Sequence, residues 1–258
     1  MSNKIAVVTG GGSGIGRASA IKLAEQGMKV ALVDLKEDRT EKVKGEIENK
    51  GGEAIVLDVD IKDEERIHEC IEAIGDKWGQ IDCLFLNAGI NGTFSSIEEL
   101  DVNDWDEVMQ TNLRSTFIFL KYSIPFLKEN GGSVIITSSI NGNRTFSNIG
   151  MSAYATSKAG QVAFTKMAAL ELAQYKIRVN AICPGAIDTN IEENTEKDEA
   201  VEEVEIPVEF PEGSQPLEQK SGSPEQVADL VAFLASDASS HITGTDIFID
   251  GAESLLRG

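Results

Sequence analysis

The chain has 258 residues and 27.8 kDa, enough for one large α/β domain or two small ones, and its 41% hydrophobic content can fill a core. Its 43 acidic and 23 basic residues leave a formal net charge of −20 and a pI near 4.5, which excludes nucleic-acid backbones and anionic membranes as expected partners. Cys70, Cys83 and Cys183 lie in apolar contexts with no CxxC pair, the pattern of buried reduced thiols in a cytoplasmic protein; a zinc site is the remoter reading.

In chain order, apolar β-rich runs at 4–10, 29–34, 53–59, 81–87, 132–138, 177–183 and 246–250 alternate with helical patterns at 14–27, 38–50, 62–78, 102–129, 152–174 and 224–236. The opening MSNKIAVVTG enters a strand pattern at once, with no leader-like apolar core, and no apolar run approaches 18 residues, so a soluble protein is expected. Strands without polar alternation are strands covered on both faces. Strand–helix alternation throughout gives parallel strands and right-handed crossovers. The predicted fold is therefore α/β: a doubly wound parallel sheet of seven strands with helices on both faces, one domain over 1–258. Residues 190–220 break the pattern, with ten acids between Glu192 and Glu212 and prolines at 207, 211 and 216. A long stretch without periodicity is either a functional lid or a solvated insertion.

The first strand–helix junction reads VVTGGGSGIG, with Gly10, Gly14 and Gly16 where backbone must approach a pyrophosphate and a helix N-terminus offers amides. Ser13 and Ile15 complete the loop. Asp34 ends the second strand about 20 residues on, where a carboxylate accepts from an adenosine ribose. It also repels a 2′-phosphate. Nearby Lys36 softens the preference. The loop thus predicts NAD as cofactor.

The TGxxxGxG spacing resembles the short-chain dehydrogenase/reductase family, a Rossmann-type fold, and the resemblance runs along nearly the whole chain. Asp58–Val59 are similar to its adenine-contacting pair, and Asn87–Ala88–Gly89 to its fourth-strand motif. Asn112 matches its helix asparagine, Ser139 its serine after strand five, and Tyr154 and Lys158 its YxxxK. CPGAIDT places Pro184, Gly185, Ile187 and Thr189 in the family's nicotinamide cradle, and SHITGTDIFIDGA resembles its last strand. The resemblance implies an oxidoreductase moving a hydride between a nicotinamide and a secondary alcohol or ketone. Tyr154 would exchange the proton, Lys158 would hold the nicotinamide ribose, Ser139 the substrate oxygen, and Asn112 a water in the proton relay.

A tyrosine does this work only if its pKa, normally about 10, falls toward neutrality. Lys158, one turn along the same helix, is expected to supply that pull. This explains why 151–173, apolar on nearly every side, carries a phenol and an ammonium. His68 and His241 are expected at structural or surface positions, and Ser138 merely finishes its strand.

Ser139 and Tyr154 lie fifteen residues apart, two more than usual in the family, and Arg144 within the gap either meets a substrate carboxylate or neutralises the acidic segment. That segment, following PGAIDT, is expected to be a lid over the substrate, kept mobile by its own repulsion. The substrate is expected to be a small polyol, sugar or hydroxy acid. The alternatives are a 3-oxoacyl-acyl-carrier-protein reductase and a non-catalytic dinucleotide sensor on the same fold. The long helices 102–129 and 152–174 are too apolar for one sheet face to cover; the family pairs them across a two-fold axis and often forms tetramers through the last strand, implying a homotetramer, with a dimer as the alternative.

Overall fold

The apolar run IAVVT forms β1 (Ile5–Thr9), buried at every residue because helices cover both faces of its sheet. In the computed structural model, which describes residues 1–146, 149–189, 195–198, 201 and 215–256, the chain continues through α1 (Gly14–Glu25), β2 (Lys29–Asp34), α2 (Glu37–Asn49), β3 (Ala54–Asp58), α3 (Glu64–Trp78) and β4 (Cys83–Leu86). A short β5 (Gly92–Phe94) and α4 (Val102–Val108) lead into α5 (Ser115–Leu127), β6 (Gly132–Thr137), α6 (Ser152–Leu172) and β7 (Ile177–Pro184). The remaining elements are β8 (Thr195–Lys197), α7 (Pro224–Ala235), β9 (Asp246–Ile249) and α8 (Glu253–Leu256).

Seven parallel strands in the order β3-β2-β1-β4-β6-β7-β9 form the central sheet, as the alternation predicted. One core layer joins Val7, Leu84 and Ile136 to α3, α5 and α6; the other joins Val8, Phe85 and Ile135 to α1 and α7. The chain leaves β1 toward β2 on one side and returns to β4 on the other. A crevice therefore opens at the carboxyl ends of these strands, where ligands bind in such sheets.

Two expectations need correction. The helix expected over 102–129 runs from 102 to 127 but is not α-helical throughout: a wide π-helical turn, Met109–Arg114, which carries Asn112, joins α4 to α5. Such turns insert one residue into the helical repeat and re-aim a side chain, commonly at functional positions. The acidic segment is not structureless throughout: Thr195–Lys197 pairs in parallel with Gly92–Phe94 as a separate two-stranded sheet. Asn91 Nδ2 donates to Thr195 Oγ1 at 2.8 Å and Asp198 N to the Phe94 carbonyl at 2.9 Å, while buried Val201 meets Gly150. The rest of the proposed lid, 190–194, 199–200 and 202–214, lies outside the described residues.

The three cysteines are buried in three separate core clusters, so their sulfurs do not converge on one ion. Burial pushes the Cys70 and Cys83 thiols up to about 12 and Cys183 to about 11. Among the described residues no helix is long and apolar enough to cross a membrane.

Candidate active site

The crevice is a cavity of about 740 Å³ reached by residues from the ends of β1, β2, β4, β6 and β7. Its floor at one end is the glycine turn. Gly10 and Gly14 adopt φ of +66° and +49°, and Gly10 N donates to the Val33 carbonyl at 2.8 Å. A Cβ on Gly16 would sit 2.0 Å from the Gly10 carbonyl oxygen, so the helix can pack this closely on the loop only with glycine there. Ser13 begins α1 with no side-chain cap and no acid in the first turn, leaving the helix amides facing the cavity. A Cβ on Gly14 would approach the Thr189 side chain to 3.2 Å, so the glycine loop and the PGAIDT loop face each other across a narrow gap. This cradle fits a dinucleotide pyrophosphate.

Asp34 lines the cavity and accepts Gly12 N at 3.0 Å and Lys36 N at 3.2 Å, which fixes its carboxylate at the end of β2. Lys36 and Arg39 line the same end. Val59 lines the cavity too, its N–H held by the Asp34 carbonyl at 3.1 Å. Asp58 does not reach the cavity wall; it is exposed, and its carbonyl accepts Arg66 Nη2 at 3.1 Å. Gly16 also stands behind the wall, as packing.

At the centre, buried Thr9 organises the Asn87–Ala88–Gly89 turn. Its hydroxyl oxygen accepts Asn87 N at 2.9 Å and Ala88 N at 3.1 Å, and Thr137 Oγ1 donates to Asn87 Oδ1 at 3.2 Å. Neither threonine is singled out by the motif reading, although Thr9 directly precedes the first glycine. Asn112 is fully buried beneath this turn. Its amide clasps Ile90, accepting Ile90 N and donating to the Ile90 carbonyl, both at 2.9 Å, and donates to Ser157 Oγ at 3.1 Å. Its main-chain carbonyl accepts Gln161 Nε2 and Thr116 Oγ1, both at 2.7 Å.

The other three candidate catalytic residues converge on the cavity wall. Ser139 Oγ accepts Asn141 N at 3.1 Å, and the Ser139 hydroxyl lies on the side of the Tyr154 phenol, whose charged form it favours. Lys158 Nζ donates to the Thr137 carbonyl at 2.8 Å and lies 5.5 Å from the Tyr154 ring centroid. Ser138 has the structural role expected, its hydroxyl donating to the Lys158 carbonyl at 2.8 Å. Asn143 Nδ2 ties the loop down by donating to Ser139 O at 2.7 Å and Ser138 Oγ at 3.0 Å.

The expected effect of Lys158 on Tyr154 is not what the structure shows. Burial raises the phenol above its ordinary value, with only the Ser139 hydroxyl pulling it back, and burial lowers the Lys158 ammonium to about 8. Desolvation wins because both groups are closed off from water.

The PGAIDT loop is pinned from the far side. Pro184 O accepts Ile140 N at 3.0 Å, Gly185 N donates to the Ile249 carbonyl at 3.1 Å, and the buried Glu253 carboxylate accepts Ala186 N at 2.8 Å. No sequence signal marked Glu253. Arg144 stands outside the cavity wall, its guanidinium 3.4 Å over the Phe248 ring; most of the acidic segment it was weighed against lies outside the described residues. His68 stacks on Tyr122 at the surface of α3, away from the cavity, as expected.

A phosphate cradle at one end and an apposed phenol, hydroxyl and ammonium at the other define a dinucleotide-dependent oxidoreductase. Comparison with known proteins agrees. Residues 10–252 match the family model described as enoyl-(acyl carrier protein) reductase. The chain is 37% identical to the cyclohexanol dehydrogenase of Acinetobacter sp. (strain SE19) over 97% of its own length and 95% of the relative's. A 3-ketoacyl-ACP reductase structure from Sinorhizobium meliloti 1021 superposes with a TM-score of 0.93 at 43% identity, covering 98% of this chain and 100% of that one. A 3-ketoacyl-(acyl-carrier-protein) reductase from Brucella melitensis, solved with NADH, gives 0.85 at 30% identity, covering 98% and 99%. The chain belongs to the short-chain dehydrogenase/reductase family and is an oxidoreductase acting on CH–OH groups or their ketones.

Proposed function

We propose that this chain interconverts a small, uncharged secondary alcohol and its ketone using NAD(H), in the cytoplasm, as a homotetramer. The observation that carries the reading is the convergence of Ser139, Tyr154 and Lys158 on one wall of a cavity whose other end is the glycine cradle. When bound, the dinucleotide supplies or accepts the hydride. Tyr154 holds the proton that the substrate oxygen gains or loses. Ser139 already accepts from Asn141, so its own hydrogen is the one available to that oxygen. Lys158, about half protonated near pH 8, is fixed by Thr137 on the same wall, where it would hold the nicotinamide ribose. Asn112 holds the Ile90 turn in place beneath them.

NAD(H) is favoured because the Asp34 carboxylate faces the adenosine end, where a 2′-phosphate would meet it at a cost of about 1–3 kcal/mol. The acidic 190–220 segment is read as a lid, supported by its anchorage beside Phe94, itself on the cavity wall. The second reading, an acyl-carrier-protein reductase, is favoured by the name of the Sinorhizobium relative. The −20 charge opposes it, since an acidic carrier would be repelled. A panel of cyclic alcohols, polyols, sugars and hydroxy acids with NAD+ and NADP+, beside acetoacetyl-carrier protein across a salt series, separates these. Preferred turnover of a small alcohol with NAD+ is expected. Preferred carrier-protein turnover overturns the substrate, equal use of both dinucleotides overturns the cofactor preference, and tight NADH binding with no turnover points to the sensor.

A further inference from the structure

Beside the active-site cavity lies a second one of about 380 Å³, walled by residues 95–97, by residues within 141–146 and 149–151, and by the start of α6. Asn141 and Met151 belong to the walls of both cavities, so the two are neighbours across one residue's thickness. Ile97 and Phe146 stand at its rim with 84% and 72% of their surfaces exposed, although both are large hydrophobic residues in a chain of high charge. Paired exposure of this kind on a concave surface marks a binding surface. Thr145 Oγ1 and Ser152 Oγ, also in its wall, are closed off from solvent with no hydrogen-bond partner among the described residues.

We propose that this bay is a further compartment of the substrate site, taking the apolar far end of a secondary alcohol or ketone whose reacting carbon sits at Ser139 and Tyr154. The inference rests on the reading that the main cavity binds such an alcohol. Adjacency across the shared Asn141 and Met151 selects a substrate tail as the occupant, and the apolar rim selects a hydrocarbon tail over a polyol.

The test is calorimetric titration of the full chain, saturated with NAD+, by methyl ketones from 2-butanone to 2-decanone. This reads binding whether or not turnover occurs. Each methylene that enters the bay is expected to tighten binding about three- to fourfold. In Ile97→Glu and Phe146→Ala, both altered at exposed positions that folding tolerates, the gain per methylene is expected to fall below about twofold. No dependence on length, the result if a second copy of the chain covers the bay, overturns the proposal. Equal gains in parent and variants, the result if the tail lies elsewhere, overturn it as well. A length dependence lost in the variants, in a chain that oxidises no alcohol, would overturn the proposed reaction and uphold the bay.

Discussion

Tyr154 and Lys158 are driven by burial toward their neutral forms, the phenol upward and the ammonium down to about 8, and this shapes what each substitution does. Tyr154→Phe keeps the ring in its packing and removes the exchangeable proton. We expect kcat to fall about 10²–10⁴-fold while the NADH dissociation constant, read by fluorescence, is unchanged. Lys158 is charged in the unfolded chain up to its ordinary 10.5 but only up to about 8 when folded. Between these values the unfolded state binds more protons, so this residue makes stability rise with pH; its cost is fully present below pH 8 and gone above 10.5. Denaturant melts of parent and Lys158→Met should show the parent gaining about 3 kcal/mol relative to the variant between those limits. A parallel pH dependence in the two would show that Lys158 is not desolvated as described. The YxxxK spacing and Ser139 were legible because they occupy family positions in order. The direction of the phenol's shift was not, since four-residue spacing shows adjacency and says nothing about where the ammonium's hydrogen bond goes or how much water remains.

Elements were legible where their period was long. The seven strands and the helices from α1 to α7 follow from alternating apolar runs, and the crevice follows from their order. The π-helical turn at Met109–Arg114 was hidden because one inserted residue barely disturbs the apolar pattern across 102–129. The β5–β8 pair was hidden for another reason: three-residue strands carry no period, and their partners lie about a hundred residues apart. Glycine at 16 is the tightest local constraint in the fold. Gly16→Ala places a methyl 2.0 Å from backbone that cannot move without shifting β1's exit. Destabilisation of about 3 kcal/mol in chemical denaturation is expected, together with weakened dinucleotide binding. A variant as stable as the parent would mean the loop is softer than its geometry indicates.

Across the whole molecule, apolar surface remains where the sheet has no more to cover. Phe117 on α5 packs edge to face on Phe164 of α6 at 6.2 Å while half exposed, and Met167 and Leu170 beside them are 65% and 78% exposed. A second copy of the chain is the occupant expected from the proposed assembly, so Leu170→Glu should convert the sedimenting tetramer to smaller species with the fold retained by circular dichroism. A monomeric parent at micromolar concentration would remove the proposal. The three cysteines carry a consequence of a different kind. Thiolates are the forms that alkylating reagents attack, and Cys70, Cys83 and Cys183 hold their protons to about 11–12 inside three separate packing clusters. At neutral pH the native chain is therefore chemically silent, and its labelling becomes a clock that runs only while a segment is open. Cys70 on α3 times the opening of one covering layer, and Cys83 in β4 times the separation of the sheet itself. A dinucleotide that binds only the closed chain should slow the β4 clock in proportion to its concentration above Kd, which gives cofactor affinity by mass spectrometry without any substrate in hand.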